Sequence, residues 1–315
     1  MYRIIQKRNY WLGFSLVILI ISVMALFIWG LKLGIDFKGG SLLEVRFHKD
    51  RPAVIDVQKT LEGLDLGGVV VQPIGEKDMM MRFKDINEEK HQEILAKLNE
   101  MGGGEKKDTK KDDKATSTSA AKLTSIEEIQ FNTVGPSIGQ ELARKSFNAM
   151  FFVFLGIVIY ITWAFRQVSK PVASWKYGTC AIIALIHDAL IVLGCFAILG
   201  RFYNIEIGSS FIAALLTVMG FSVHDTIVVF DRIRENLPRS NEDFEGIVNT
   251  SLNQTLARSI ITSGTVLLVL LAIFFFGGTS IRDFALALFI GIFFGTYSSI
   301  FVASPLLVVW EKLKK

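Results

Sequence analysis

The sequence predicts a polytopic α-helical membrane protein with six transmembrane helices and an α+β, ferredoxin-like extracytoplasmic domain between helices one and two. Three observations support this fold class. Hydrophobic residues make up 51% of the 315 positions, and the mean hydropathy is +0.43, which is too apolar for an ordinary soluble domain. Six nearly uncharged runs reach the roughly 20 residues that a spanning helix requires. One long polar stretch separates the first run from the second.

The six apolar runs define the predicted spans. The first is too long for a signal-peptide core and has no small-residue cleavage pattern after it, so we expect residues 1–31 to remain as an anchor. The other five runs belong to a transmembrane domain at 146–315. The runs lie at 9–31, 146–165, 177–200, 207–230, 259–281 and 284–310.

The charges of the short connections predict the orientation. Basic residues are retained on the cytoplasmic side during insertion. We therefore expect both termini to lie inside, because with this orientation every predicted inside segment is basic. The predicted outside connections carry only Arg201 and Arg282, each close to an acid. The basic segments are 3–8, 166–176, 232–239 and 312–315.

This topology places residues 32–145 outside as one soluble domain. Alternating apolar residues predict strands, and 3.6-residue periodicity predicts two helices. The order strand, helix, strand, strand, helix, strand is that of the split βαβ, ferredoxin-like plan, which hosts many functions and identifies none. The strands are predicted at 41–47, 69–72, 79–83 and 126–134, and the helices at 52–61 and 88–98.

Two further segments have a distinct composition. Residues 102–122 contain three consecutive glycines, six lysines and almost no apolar residue, which predicts a disordered loop. Residues 240–256 show a capped amphipathic pattern, which predicts a cytoplasmic helix at the membrane interface between spans four and five. Gly291 and Gly295 in the sixth span form a small-xxx-small pair, which favours a helix packing contact.

Polar residues within the spans are the candidate functional residues. Asp225 lies inside the fourth span, where a charged side chain costs roughly 2.5 to 3.5 kcal/mol on insertion scales. Such an acid serves a proton path or fixes the pairing of helices, and its protonation would switch it between neutral and charged forms. Arg258, at the start of the fifth span, is the candidate counter-ion, although it can also extend to the interface.

Four other residues are weaker candidates for the same path. Asp231 lies near the membrane edge, where it offsets the charges of neighbouring arginines or takes a direct part. His187 and Asp188 form a second titrating station or hold neighbouring helices by hydrogen bonds. His224 adjoins Asp225 but points roughly 100° around the helix.

Several function classes are not supported. Consecutive residues point apart on a helix and no His-x-x-x-His spacing occurs, so we expect no metal site. Asp188 and Asp225 differ in predicted depth, which argues against an intramembrane aspartyl protease. No phosphate-binding Gly-x-x-x-x-Gly-Lys motif is present, and no basic, aromatic-rich patch suggests nucleic acid. Cys180 and Cys195 resemble small buried hydrophobes. We therefore expect no enzyme activity, no catalytic residues and no cofactor.

Three motifs resemble those of the SecF family, the smaller half of the SecD/SecF accessory pair of the bacterial protein-export translocon. They are Gly34-Ile-Asp-Phe-Lys-Gly-Gly40, Val134-Gly-Pro-Ser-Ile-Gly-Gln-Glu-Leu142 and the long stretch from Gly220 to Asn236. The resemblance covers most of the chain. It implies that Asp225 and Arg258 take part in using the proton gradient, with Asp231 and Asp188 as lesser members. Position 224 is often asparagine in the family, which leaves open whether His224 titrates.

The resemblance also implies partners and a location. The partners are SecD, the SecYEG channel, YajC and YidC, the translocating preprotein and membrane lipid, and the coupling ion is H⁺. The location is the bacterial cytoplasmic (inner) membrane. Two alternatives stay open: a stand-alone proton-coupled transporter of a small molecule or lipid, and a translocon scaffold without a proton role.

Overall fold

The structure, a computed structural model, describes residues 2–64, 66–103, 125–165 and 173–312. The chain divides into two compact units, one of Met1–Lys32 with Lys145–Lys315 and one of Leu33–Arg144. The helices are α1 (Arg8–Trp29), α2 (Ile35–Lys38), α3 (Val54–Glu62), α4 (Glu88–Met101), α5 (Pro136–Ala164), α6 (Ser174–Phe202), α7 (Ser209–Asn236), α8 (Phe244–Phe276), α9 (Thr279–Ser298) and α10 (Ser304–Lys312). A 3₁₀ turn, Ile5–Lys7, precedes α1, and a π-helical segment, Ser299–Ala303, joins α9 to α10.

The prediction of six membrane-spanning helices is confirmed within the described part of the chain. The helical segments long and apolar enough to cross a membrane are Ile5–Trp29, Pro136–Ala164, Ser174–Tyr203, Ser209–Asn236, Phe244–Phe276 and Ile281–Lys312. In α6, α7 and the last segment, about half of the residues of the most apolar stretch are buried, whereas in α5 only 6% are. The interior of the membrane unit is therefore built by α6, α7 and α9.

The prediction of a separate interfacial helix at 240–256 is wrong, because this stretch is the first part of a longer helix. Helix α8 begins at Phe244, where the Asp243 side chain accepts a hydrogen bond from the Gly246 backbone, and it continues without a break to Phe276. The apolar stripe of its first turns is buried at Ile247, Val248 and Leu252. This stripe contacts protein, because the N-terminal segment and α7 pack against it.

Close helix packing in the membrane unit depends on small residues. A side chain at Gly291 would overlap Val218 of α7, and one at Gly295 would press on Ser222 of the same helix. The predicted packing role of this glycine pair is confirmed. Gly194 of α6 meets the backbone of Ser22 in α1 in a similar way. These contacts bring polar groups on different helices within hydrogen-bonding distance.

The unit Leu33–Arg144 contains a four-stranded antiparallel sheet. Its strands are β1 (Gly40–Phe47), β2 (Val70–Ile74), β3 (Asp78–Phe83) and β4 (Ile126–Val134), in the order β2-β3-β1-β4. Every boundary lies within three residues of its predicted position, although α3 begins at Val54, after Pro52. Alternate residues of β1 and β3 point inward because side chains alternate along a strand. Leu43, Val45, Phe47, Met79 and Met81 are fully buried.

Two glycines allow β1 to begin close to other backbone. Gly39 has φ +78°, and an added Cβ would lie 2.9 Å from the Cα of Pro136. Gly40 has φ +130°, and its Cβ would lie 2.8 Å from the carbonyl oxygen of Phe83. Side-chain-bearing residues rarely adopt these φ values, so the motif requires glycine for conformation as well as for space. The predicted disordered loop at 102–122 lies outside the described residues beyond Gly103.

Candidate functional site

Asp225 lies on the buried face of α7. Its side chain is in the interior, and the residue is 8% exposed. Oδ1 accepts a hydrogen bond of 2.7 Å from the Ser259 hydroxyl of α8. Oδ2 is buried and has no hydrogen-bond partner among the described residues. One oxygen of this carboxyl group therefore remains able to take up a proton without loss of the bond to Ser259.

The predicted counter-ion of Asp225 is not in contact with it. Arg258 is exposed, and the described residues give it no ion pair or hydrogen bond. Neighbouring residues in a helix point roughly 100° apart. Because Ser259 faces the interior, Arg258 is turned away, and a neutral hydroxyl replaces the expected guanidinium at the carboxylate.

Asp188 and His187 of α6 form a second buried polar centre. Oδ2 of Asp188 accepts hydrogen bonds from the hydroxyls of Ser222, at 2.5 Å, and Ser298, at 2.6 Å. Oδ1 lies 2.9 Å from His187 Nδ1, and His187 Nε2 lies 2.5 Å from the Ser15 hydroxyl of α1. The expectation that consecutive residues point apart is wrong for this pair. The network joins α1, α6, α7 and α9, so the predicted hydrogen bonding to neighbouring helices is present.

Further hydroxyl groups lie beside the two carboxyl groups. Thr226, which follows Asp225, lies 2.9 Å from the Ser299 hydroxyl. Ser299 begins the π-helical segment, and it also donates to the Gly295 carbonyl at 2.9 Å. Such segments disrupt regular helical hydrogen bonding and are frequent at functional sites. The polar groups therefore concentrate where α7 packs on the irregular part of the last span.

Asp231 and His224 lie apart from this interior. The Asp231 side chain is 71% exposed, with its nearest charged partner, Arg234, at 3.9 Å. Arg232 pairs instead with Glu235 at 2.6 Å. Of the two arginines that Asp231 was expected to offset, it therefore contacts only Arg234, and at a long distance. His224 is exposed, and it points roughly 100° around α7 from the buried carboxyl group.

The site offers carboxyl, imidazole and hydroxyl groups. Within the described ranges, no three His, Cys, Asp or Glu side chains lie close enough to hold a metal ion together. The residues that sequence reasoning missed are serines on several helices: Ser15, Ser222, Ser259 and Ser298. Ser222 precedes Asp225 by three residues, so helical spacing places it on the same face and provides a signal for it. Carboxyl and imidazole groups of this kind can accept and release a proton.

These features define a polytopic membrane protein with titratable groups buried between its helices. The family described as protein export membrane protein SecD/SecF, C-terminal, matches residues 114–313, and the SecD/SecF GG motif matches residues 25–50. The chain belongs to the SecF family. Asp225, Asp188 and the paired glycines lie within the matched segments.

Relatives and solved structures agree with this assignment. The chain is 45% identical to the protein translocase subunit SecF of Thermobaculum terrenum, over 98% of this chain and 93% of that protein. It is 40% identical to the protein translocase subunit SecF of Anaerolinea thermophila, over 99% of this chain and 94% of that protein. A crystal structure of SecDF from Thermus thermophilus, a translocon-associated membrane protein, matches with a TM-score of 0.78 and 32% identity. That match covers 99% of this chain and 39% of the SecDF chain.

Proposed function

We propose that this protein is an accessory subunit of the Sec translocase that, with SecD, uses the proton gradient to promote preprotein export. Membership of the SecF family supports the role in Sec translocation. The observation that supports proton use is Asp225, a buried carboxyl group with a single hydrogen bond and one oxygen without a partner among the described residues. Neither a catalytic step nor a cofactor is part of this proposal, and the coupling ion is H⁺.

The proposed step is protonation of Asp225. In the ionised form the carboxylate holds the Ser259 hydroxyl of α8 by a charge-assisted hydrogen bond, which is roughly twice as strong as a neutral one. In the neutral form the bond weakens and α7 and α8 can change their packing. A proton that crosses the membrane potential supplies roughly 2.3 kcal/mol per 100 mV. It shifts the packing only through its different affinity for the two arrangements.

The unit Leu33–Arg144 is proposed to be a ferredoxin-like domain on the extracytoplasmic side of the bacterial inner membrane. Its strand order, β2-β3-β1-β4, is the order that the split βαβ plan requires, which supports the fold. The basic inside connections support cytoplasmic termini. In this position the domain handles preprotein that emerges from SecYEG, and YajC and YidC are further proposed partners.

Export with and without a proton gradient tests the proposal. Asp225→Asn keeps an oxygen that accepts from Ser259 and removes the titrating group, so the variant should still assemble. In vesicles with SecYEG and SecD, we expect it to lose the gradient-dependent part of export and to keep the ATP-dependent part. Asp231→Asn, an exposed acid on the same helix, is the matched control and should resemble the wild type.

One result would refute the proton role. If Asp225→Asn assembles at normal levels and its export still responds fully to the gradient, the buried carboxyl group is structural. The scaffold alternative would then explain the family membership. A protein that moved a small molecule by itself would show gradient-dependent uptake in vesicles without SecD or SecYEG.

A further inference from the structure

A buried chain of three groups connects α1 to the interior of the membrane unit. The Ser15 hydroxyl lies 2.5 Å from His187 Nε2, and His187 Nδ1 lies 2.9 Å from Asp188 Oδ1. The three residues are 3%, 5% and 1% exposed. Groups this deeply buried must satisfy one another, because unpaired polar groups in the interior are costly. His187 and Asp188 were predicted from the sequence as weaker candidates for the proton path, whereas Ser15 was not among the candidates.

In the ionised form of Asp188, the hydrogen bonds assign the proton of a neutral His187. Oδ2 accepts the hydroxyls of Ser222 and Ser298. Because a carboxylate only accepts, His187 Nδ1 donates to Oδ1 in this form, and Nε2 is left to accept the Ser15 hydroxyl proton. A neutral ring thus holds Ser15 in one orientation.

Proton binding at His187 reverses this contact. When Nε2 takes up a proton from hydronium, which leaves as water, an N–H bond forms and Nε2 becomes a donor, so the Ser15 hydroxyl proton must point elsewhere. A serine within a helix has an alternative acceptor in the carbonyl four residues earlier. Here that carbonyl belongs to Trp11, and it already accepts the hydroxyl of Tyr297 from α9 at 3.1 Å. The reversal therefore changes how α1 is held against α6 and α9.

The helices that pack against α6 contribute only neutral hydrogen-bond partners to His187 and Asp188. Those from α7 and α9 are the hydroxyls of Ser222 and Ser298, and the partner from α1 is Ser15. In the described ranges no other charged side chain contacts His187 or Asp188. The Ser298 hydroxyl also has a second acceptor, the Gly295 carbonyl at 3.1 Å, so it can turn without losing all of its bonding.

We propose that Ser15 is a positioning residue through which α1 responds to proton occupancy of the His187–Asp188 pair. Helix α1 ends at Trp29, and the soluble unit begins at Leu33, so the responding helix leads directly into that unit. The inference rests on the proposed proton-driven function. It adds the element that transmits proton binding along the chain to the domain that handles preprotein.

The order hydroxyl, imidazole, carboxylate is also that of serine hydrolases. In those enzymes the serine attacks a substrate, which requires an accessible hydroxyl. Ser15 is only 3% exposed and contacts His187 of α6, so its hydroxyl is not accessible to a substrate. In this protein the three groups therefore do not attack a substrate. Proton binding at His187 instead changes the direction in which the Ser15 hydroxyl points.

Serine variants in the gradient-dependent export assay test this inference. Ser15→Ala removes the hydroxyl, and we expect it to lose most of the gradient-dependent part of export while ATP-dependent export and assembly with SecD are kept. Ser15→Thr retains the hydroxyl and should restore the response. Ser22→Ala is the matched control, because Ser22 is equally buried on α1 but packs against Gly194. It should behave as the wild type.

The outcomes separate the inference from the function on which it rests. If Asp225→Asn loses the gradient response but Ser15→Ala retains it, the sensing role of Ser15 is refuted and the proton-driven function stands. If Ser15→Ala and Ser22→Ala lose it equally, α1 packing is the cause and the inference fails. If Asp225→Asn retains the response, the proposed function itself is refuted.

A spectroscopic measurement tests the contact directly. The chain has four histidines, so ring ¹⁵N labelling of the full-length protein in lipid nanodiscs gives few signals. His187→Asn identifies the relevant pair. We expect one protonated Nδ1 and one hydrogen-bonded acceptor Nε2 at alkaline pH, and Ser15→Ala should move the Nε2 resonance while Ser22→Ala leaves it in place. An Nε2 resonance that does not respond to Ser15→Ala would refute the proposed contact.

Discussion

Asn249 of α8 holds the N-terminal segment by three hydrogen bonds. Its Oδ1 accepts from the backbone N–H groups of Ile4, at 3.0 Å, and Ile5, at 3.3 Å, and its Nδ2 donates to the Tyr2 carbonyl at 3.1 Å. Ile5 is fully buried, and Ile4 and Asn249 are buried as well. We call Tyr2–Lys7 and Asn249 the N-terminal clasp, and we predict that Asn249→Leu opens it.

The expected size of the effect follows from the groups left unpaired. Leucine has a similar shape but offers no acceptor, so two buried N–H groups would lack a partner. Each costs about 1 to 3 kcal/mol, which gives about 2 to 6 kcal/mol in favour of an opened segment. Local opening of this kind is governed by its own free energy, apart from global unfolding. Even 2 kcal/mol raises the open population about 30-fold.

Cysteine labelling in membrane vesicles measures this population. In a chain whose own cysteines are replaced, Ile5→Cys reports opening through its rate of reaction with a maleimide. We expect Asn249→Leu to raise that rate about 30-fold or more. Asn253→Leu is the comparator, because it removes contacts to Tyr2 but leaves the Ile4 and Ile5 groups bonded, so its effect should be smaller. An unchanged rate in Asn249→Leu would refute the reasoning.

Two further substitutions test packing and pH dependence. Gly291→Ala places a methyl group against Val218, and overpacking should cost about 1 to 3 kcal/mol and lower the thermal unfolding midpoint in detergent. Hydrogen bonds from Gln92, and then from His91, hold the pKa of Glu88 below its ordinary value of 4.5. This stabilisation is therefore present above pH 4.5 and lost as pH falls through the lowered value, so Glu88→Gln should weaken the acid sensitivity of hydrogen exchange in α4.

Matched controls exist for both substitutions. Gly264→Ala adds the same methyl group to a neighbouring membrane helix where nothing lies within 4 Å, so its midpoint should stay near that of the wild type. Equal losses at both glycines would contradict the packing account. Glu93→Gln removes an acid from the same helix as Glu88. If it changes acid sensitivity as much as Glu88→Gln does, net charge rather than the local hydrogen bonds is responsible.

Several parts of the fold were predictable from local sequence. Six apolar runs required six helices, because only a helix satisfies its own backbone hydrogen bonds in a lipid environment. Alternation in β1 and β3 set which residues point inward, since side chains alternate along a strand. The stretch 240–256 was misassigned because an amphipathic pattern shows that one face is buried but does not show what covers it.

The candidate site was predictable only in part. Asp225, His187 and Asp188 stood out because acids and histidines are rare within apolar spans. Arg258 was chosen as the partner of Asp225 by charge, whereas the rotation of α8 presents Ser259. Serines are common in membrane helices, and burying a hydrogen-bonded hydroxyl costs little free energy. The sequence therefore did not mark Ser15 and Ser298 as site residues.

The sequence alone determined the number of spans, the elements of the unit Leu33–Arg144 and the presence of buried acids. These features follow from local periodicity and from the free-energy cost of placing charge in lipid. Both are properties of a segment's own sequence and do not depend on what packs against it. Only the tertiary structure decided which groups meet: Ser259 with Asp225, Ser15 with His187, and Asn249 with the N-terminal segment. Such pairings depend on the rotation and depth of each helix, which are set by packing at residues such as Gly194 and Gly291 on other parts of the chain.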